Sequence, residues 1–206
     1  MRFDLQAVER VYDGFFKLDR YRLRHELFDG SWTEPMEREI LERGHAVAVL
    51  PYDPDTNKVL LIEQFRAGAL DAPGGPWLTE IIAGMIEPGE KPDDVAYRES
   101  QEEAGLSLSS LLPLTRYWVS PGGTTESIYL FLARFDSQAI TTDRDGLVEG
   151  AFGVRDEHED IRVRLVSSEQ AFKAVEEGLI VAAAPIMALL WLRNLLNEER
   201  LTQIGF

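Results

Sequence analysis

Apolar and polar positions alternate with a period of two between residues 8 and 28: Tyr21, Leu23, His25 and Leu27 fall on one side, Arg20, Arg22, Arg24 and Glu26 on the other. That period predicts an extended strand. Asp29-Gly30 offers a hairpin turn, and a second alternating stretch surrounds Pro35 to Leu41. The chain therefore opens with an antiparallel β element, residues 1–43, too small to bury a core of its own, which should lean on a larger body or on a second subunit. Residues 44–206 read as one further domain. Strands are expected at Ala46–Leu50 and Lys58–Phe65, joined by the turn-rich PYDPDTN; after a Gly/Pro/Ala loop at 67–76 comes a strand at Trp77–Ala83.

The punctuation then changes to that of a helix. Pro92 stands at the first helical position, Asp93 and Asp94 follow where the dipole favours acids, and Gly105 is placed as the stop, so the helix spans Pro92–Ala104. Strands at Thr115–Ser120 and Ser127–Phe135 follow, then a polar, acidic loop at 136–160 and a strand at Ile161–Val166. Ser167-x-x-Gln170 is a capping box that opens another helix. The last apolar run, Leu179 to Leu192, contains Pro185 and is shorter than the roughly 18 residues a spanning helix needs, so it predicts a buried helix rather than a membrane partner. Strands mixed with three helices give an α/β (α+β) fold class.

Composition narrows the chemistry. There is no Cys, which excludes disulfides, thiolate metal sites and a Cys nucleophile, and the opening MRFDLQAVERV has no basic segment followed by an apolar one; a cytoplasmic protein is expected. With 21 Lys+Arg against 36 Asp+Glu the formal charge is −15, which argues against nucleic acid as a partner and turns any metal chemistry toward oxygen ligands and hard cations. The three histidines are too few for a three-His centre with any to spare, and neither His45 nor His158 is given a role.

The carboxylates are concentrated in one place. On the helix, Glu99, Glu102 and Glu103 stand at i, i+3 and i+4 and crowd one face within roughly 100° of arc. Like charges at that spacing repel, so either water solvates an acidic face or a divalent cation offsets the repulsion. The frame around them decides which reading is followed. Gly84, Glu90, Arg98, Glu99, Glu102, Glu103, Gly105 and Leu106 match the box G-x5-E-x7-R-E-U-x-E-E-x-G-U, in which U is aliphatic, and the seven fixed identities would meet by chance with a probability on the order of 10⁻⁶. By this box the chain resembles the Nudix hydrolase family. One position departs: Ser100 stands where an aliphatic residue is usual, so packing there is expected to be slightly weaker.

The resemblance implies a mixed β-sheet sandwiched between helices and hydrolysis of a diphosphate that links a nucleoside to a further group. It implies Mg²⁺, with Mn²⁺ as the substitute, held by Glu99, Glu103 and the backbone carbonyl of Ala83, with Glu102 as a further ligand or as a catalytic holder of water. Arg98 would orient the glutamates from i to i+4 with Glu102, and Glu90 would support the loop. Beyond the box, the chain is similar to the ADP-ribose pyrophosphatase branch of the family in its bacterial, homodimeric form. The resemblance is carried by Pro121, fifteen residues after Leu106, and by GFFKLDRYRLRHELFDG, REILERGHAVAVLPYD and EHEDIRV. Pro121 could equally be a turn former in Pro-Gly-Gly. The branch implies N-terminal strands exchanged between subunits, Phe15 stacking on adenine, and Arg38 and Arg66 reaching the substrate, the alternative for either arginine being an ordinary surface ion pair. Arg43 is either a further contact or a surface ion pair. Glu157 matches the general base, and Glu159, two residues on, is its reserve. The expected reaction is cleavage of ADP-ribose to AMP and ribose 5-phosphate. The alternatives are a nucleoside-diphosphate-sugar pyrophosphatase for ADP-glucose or GDP-mannose, and an ADP-ribose-sensing module without turnover.

Overall fold

A computed structural model describes residues 1–154, 159–203 and 206, arranged as two compact units. The first unit comprises Met1–His45 together with Tyr117–Ile128, a segment far away in sequence. Its sheet has the order β1 (Phe3–Asp13), β2 (Lys17–His25), β3 (Met36–Glu42), all antiparallel, with Tyr21 facing both Val8 and Arg38. The alternation between residues 8 and 28 thus belongs to two strands. Gly14 breaks it, where the Gly14 N–H bonds the Phe16 carbonyl at 3.2 Å and the Lys17 ammonium closes on the Gly14 carbonyl at 2.9 Å. Asp29-Gly30 lies in the turn of the longer β2–β3 connection, its Gly30 N–H on the Leu27 carbonyl at 3.0 Å. Leu41 of β3 bonds the Gly123 carbonyl and receives the Thr125 N–H, which ties the 117–128 segment to this unit.

The second unit, Ala46–Arg116 with Tyr129–Phe206, carries the main sheet. Its order is β10 (Arg162–Ser167), β5 (Lys58–Phe65), β4 (Ala46–Asp53), β9 (Ser127–Arg134), β8 (Ser110–Trp118). All eight residues of β4 are buried, as expected of a strand covered on both faces. The stretch from Trp77 is divided between partners: β6 (Trp77–Glu80) pairs with β5 and β7 (Ile82–Met85) pairs with β4, with the buried Ile81 at the change. One continuous strand was expected from the apolar run, because nothing local marks a strand that changes neighbours.

Helices cover this sheet. Helix α1 (Pro92–Ala104) packs on β7 and β4, α2 (Ser168–Glu176) on β10 and β5, and α3 (Ala183–Asn197) on β4, β6 and α2; α4 (Arg200–Gln203) follows α3. Val47, Val49, Leu60, Ile62, Ile82, Val95, Phe131 and Val163 meet in the core. Pro185 lies in the first turn of α3, where a missing N–H costs nothing, so the apolar run stays helical through it. Among the described residues no helix is long and apolar enough to cross a membrane. The polar end of β4 is fixed by Asp53, whose carboxylate accepts hydrogen bonds from Asp55, Thr56 and Ser137; against the burial that would raise its pKa, these bonds hold it down to about 2.

Candidate active site

Helix α1 sets the geometry of the acids. Its start needs no side-chain cap because Pro92 occupies the first turn, and Gly105, at φ 64°, ends it with its N–H on the Gln101 carbonyl while Leu106 N–H bonds the Ser100 carbonyl. Val95, Ala96, Ser100, Glu103 and Ala104 form the buried stripe. Ser100 is fully buried, and its hydroxyl is satisfied at 2.7 Å by the Ala96 carbonyl one turn back, so the polar residue at the aliphatic position leaves no orphaned donor.

The three glutamates diverge in environment. Glu103 is 2% exposed and points into the sheet, where its Oε2 accepts the Ala83 N–H at 2.9 Å. Ala83 faces Ala48 across the antiparallel β4–β7 ladder, and since its N–H leaves that ladder its carbonyl turns the same way, toward Glu103. Glu99 lies over Gly84: a Cβ at that position would sit 1.8 Å from the Glu99 Oε1, so only glycine leaves room for the carboxylate. Glu102 is more open. Arg98 binds Glu99 at 2.8 Å and Glu102 at 3.0 Å through Nη1, and reaches Glu90 at 3.5 Å, whose carboxylate also accepts the Glu87 N–H.

One guanidinium does not neutralise this cluster. Burial first, then the charges of Glu99 and Glu159, push Glu103 up to about 8 against the Ala83 N–H; burial likewise raises Glu99 to about 7, against the opposing charge of Arg98 and with the help of Glu102 and Glu159. A buried and a half-buried carboxylate that resist ionisation are a fitting donor set for a hard divalent cation, with Glu103, Glu99 and the Ala83 carbonyl as the oxygens that would hold it. As the side chains stand, no three acids or histidines among the described residues converge on a single ligand point, because Glu99 is turned to Arg98 and Glu103 to the Ala83 N–H.

Of the two base candidates, Glu157 lies outside the described residues. Glu159 is within them: its N–H and carboxylate bond Val154 at 3.2 and 3.3 Å, the loop backbone at Gly153 bonds the Glu102 carbonyl at 3.3 Å, and the Glu159 charge is felt by both Glu99 and Glu103. Arg66, just past β5, belongs to the same unit and lies close enough to Glu103 for its charge to oppose the rise in pKa. Its guanidinium is held by Glu80, with Nε at 2.8 Å and Nη2 at 2.7 Å. Glu80 escaped the sequence reading. The only signal for it is register, since it faces Ile62 on β5, two alternations before Arg66.

Phe15, Arg38, Arg43 and Pro121 lie in the first unit. Phe15 is 82% exposed in the β1–β2 turn and rests edge-on against Phe16. Arg38 is exposed on β3, and its guanidinium bonds only the Glu37 carbonyl among the described residues. Arg43 is paired with the buried Glu126 at 3.3 Å and lies over the Phe16 ring, so here it forms the ion pair that was the alternative to substrate contact. Pro121 is an exposed turn residue.

The NUDIX domain family matches residues 42–189. An ADP-ribose pyrophosphatase of Escherichia coli strain K12 is 47% identical over 190 residues, covering 92% of this chain and 87% of that protein. A GDP-mannose pyrophosphatase of Yersinia enterocolitica is 31% identical over 184 residues, covering 88% and 90%. A solved structure described as an ADP compounds hydrolase superposes with a TM-score of 0.70 at 20% identity, covering 97% of this chain and 96% of that one, which is a likeness of fold.

Proposed function

The chain belongs to the Nudix hydrolase family, and from that premise we propose that it hydrolyses ADP-ribose to AMP and ribose 5-phosphate with a divalent cation, Mg²⁺ first and Mn²⁺ as substitute. The observation that carries this reading is the pair formed by the half-buried Glu99 and the buried Glu103 beside β7, two carboxylates that their surroundings leave under-compensated. When bound there, the cation polarises the diphosphate and offsets the charge that grows on its oxygens during displacement. Glu99 and Glu103 hold it from α1, and Glu102 completes the set or holds a water. Arg98 fixes the glutamates, and Glu90 fixes the loop before the helix. Arg66 meets the diphosphate with a planar, permanently charged group. Arg38 and Pro121 are assigned to the substrate as well, and Arg43 either to the substrate or to its ion pair with Glu126 alone. Glu157 takes the proton of the attacking water, with Glu159 in reserve.

The N-terminal sheet is assigned to a homodimer with exchanged strands, which would bring Phe15 to the adenine of the neighbouring subunit. Exposed Phe3, Leu5, Val8 and Tyr12 on β1 support that assignment, since an isolated three-stranded sheet hides none of them. A cytoplasmic setting, without nucleic acid or membrane partners, agrees with the absence of cysteine and the acidic balance.

The experiment is a kinetic panel of ADP-ribose, ADP-glucose and GDP-mannose at saturating Mg²⁺, with products separated by chromatography. AMP and ribose 5-phosphate from ADP-ribose, at the highest kcat/KM of the panel, is the expected outcome. A preference for GDP-mannose would move the chain to the nucleotide-sugar reading, and binding of ADP-ribose without any AMP would make it a sensing module.

A further inference from the structure

Strand β5 places Ile62 and Gln64 on one face, a row that the extended Arg66 just past its end continues, and β6 places Leu78 and Glu80 on the facing rows, with Ile62 opposite Glu80 and Gln64 opposite Leu78. Arg66 remains extended at φ −126° and ψ 108°, and its N–H bonds the Pro76 carbonyl at 2.7 Å, so its side chain folds back across the sheet. There the Nε and Nη2 edge of the guanidinium meets Oε2 of Glu80, and Gln64 Nε2 approaches the same oxygen at 3.4 Å. The Glu80 side chain is 16% exposed and that of Arg66 41%. Arg66 Nη1 has no protein partner among the described residues.

We infer that Glu80 is a positioning residue, which anchors one edge of Arg66 so that the other is presented to the diphosphate; the inference rests on the proposed function. Arg66 stands within electrostatic reach of the acidic cluster around Glu103. A guanidinium on a flexible stem beside such a cluster is drawn onto it, where it would occupy oxygens meant for the cation. Glu80 supplies a competing carboxylate, a single oxygen of which meets both Nε and Nη2 of the guanidinium. Gln64 keeps that carboxylate in place from the neighbouring strand.

The test compares Glu80→Gln, Glu80→Asp, Arg66→Lys and the double variant Glu80→Gln/Arg66→Lys, each checked for folding by its thermal midpoint. The measurements are KM and kcat for ADP-ribose at saturating Mg²⁺, and ADP-ribose affinity of chelator-treated protein by calorimetry. Glu80→Gln is expected to raise KM by about 10-fold or more and to weaken metal-free binding by a similar factor, the size of one charge-assisted contact. Glu80→Asp should recover part of the loss, and the double variant should be no worse than Arg66→Lys alone. Glu80→Gln that lowers only the thermal midpoint, or a loss that adds in full to that of Arg66→Lys, overturns the inference. So does Arg66→Lys with unchanged KM, while turnover of ADP-ribose by the unaltered chain leaves the proposed function standing. An unaltered chain that releases no AMP removes that function and the inference with it.

Discussion

Two glutamates one helical turn apart, Glu99 and Glu103, experience different surroundings because a helix buried on one face treats i and i+4 alike only when both lie at the centre of the stripe. Glu103 lies there, beside Ser100 and Ala104, and carries the higher pKa. A carboxylate raised in this way binds its proton more tightly folded than unfolded. Its contribution to stability is therefore full below about 4.5 and is lost as pH rises through about 8. Chelator-treated protein is expected to lose a few kcal/mol of stability between pH 5 and pH 8 by chemical denaturation, and Mg²⁺ should restore stability at the alkaline end. Glu103→Gln should flatten that pH dependence and, in the presence of Mg²⁺, lower kcat by several orders of magnitude with the fold retained. A variant with near-normal turnover would remove the metal-ligand assignment. The crowding of acids was legible in the sequence as a period, but their separation into buried and open members was not, because it depends on which face of α1 meets β7.

At the scale of elements, the site is made by the contact between a short strand and one helix. The limits of α1 were legible because Pro92 and Gly105 are backbone signals that tertiary contacts seldom override. The box glycine Gly84 was legible as an identity, while its purpose appears only once β7 is laid against α1. Gly84→Ala is expected to displace the Glu99 carboxylate, lowering kcat about 100-fold or more with a small change in thermal midpoint. An active alanine variant would mean that the carboxylate can rest elsewhere. The division of Trp77–Ala83 into β6 and β7, and with it the pairing of Glu80 with Arg66, was not legible. Both depend on which strands become neighbours, and a run of alternating residues carries no record of that. The two strands of the N-terminal hairpin were read as one for a related reason, since a turn at Gly14 preserves the alternation on either side of it.

For the whole molecule, the charge of −15 opposes the approach of an anionic substrate, and local cations such as Arg66 must act against that field. Screening should then help. With Mg²⁺ kept saturating, kcat/KM for ADP-ribose is expected to rise as ionic strength goes from about 10 to 150 mM and the Debye length shrinks from roughly 30 to 8 Å; a fall would indicate that local positive potential governs encounter. The exposed apolar residues of β1 belong to this scale as well. Sedimentation equilibrium is expected to give twice the mass of the chain, and Leu5→Asp with Val8→Asp should shift the population toward a single copy. The unaltered chain sedimenting as a single copy would remove the strand-exchange assignment and leave Phe15 without an adenine to meet.

The change of partner at Ile81 has a mechanical meaning for the site. On one side of this buried residue the chain holds Glu80, and through it Arg66; on the other it offers the Ala83 backbone to Glu103. The halves proposed for the anion and for the cation are thus separated by two residues of backbone, Ile81 and Ile82, both of them buried. Both segments are paired in the sheet, so under the proposed function their spacing is set by the backbone, and the site would sort substrates by the distance between a phosphate and the cation it shares, before any contact to the base or sugar is made.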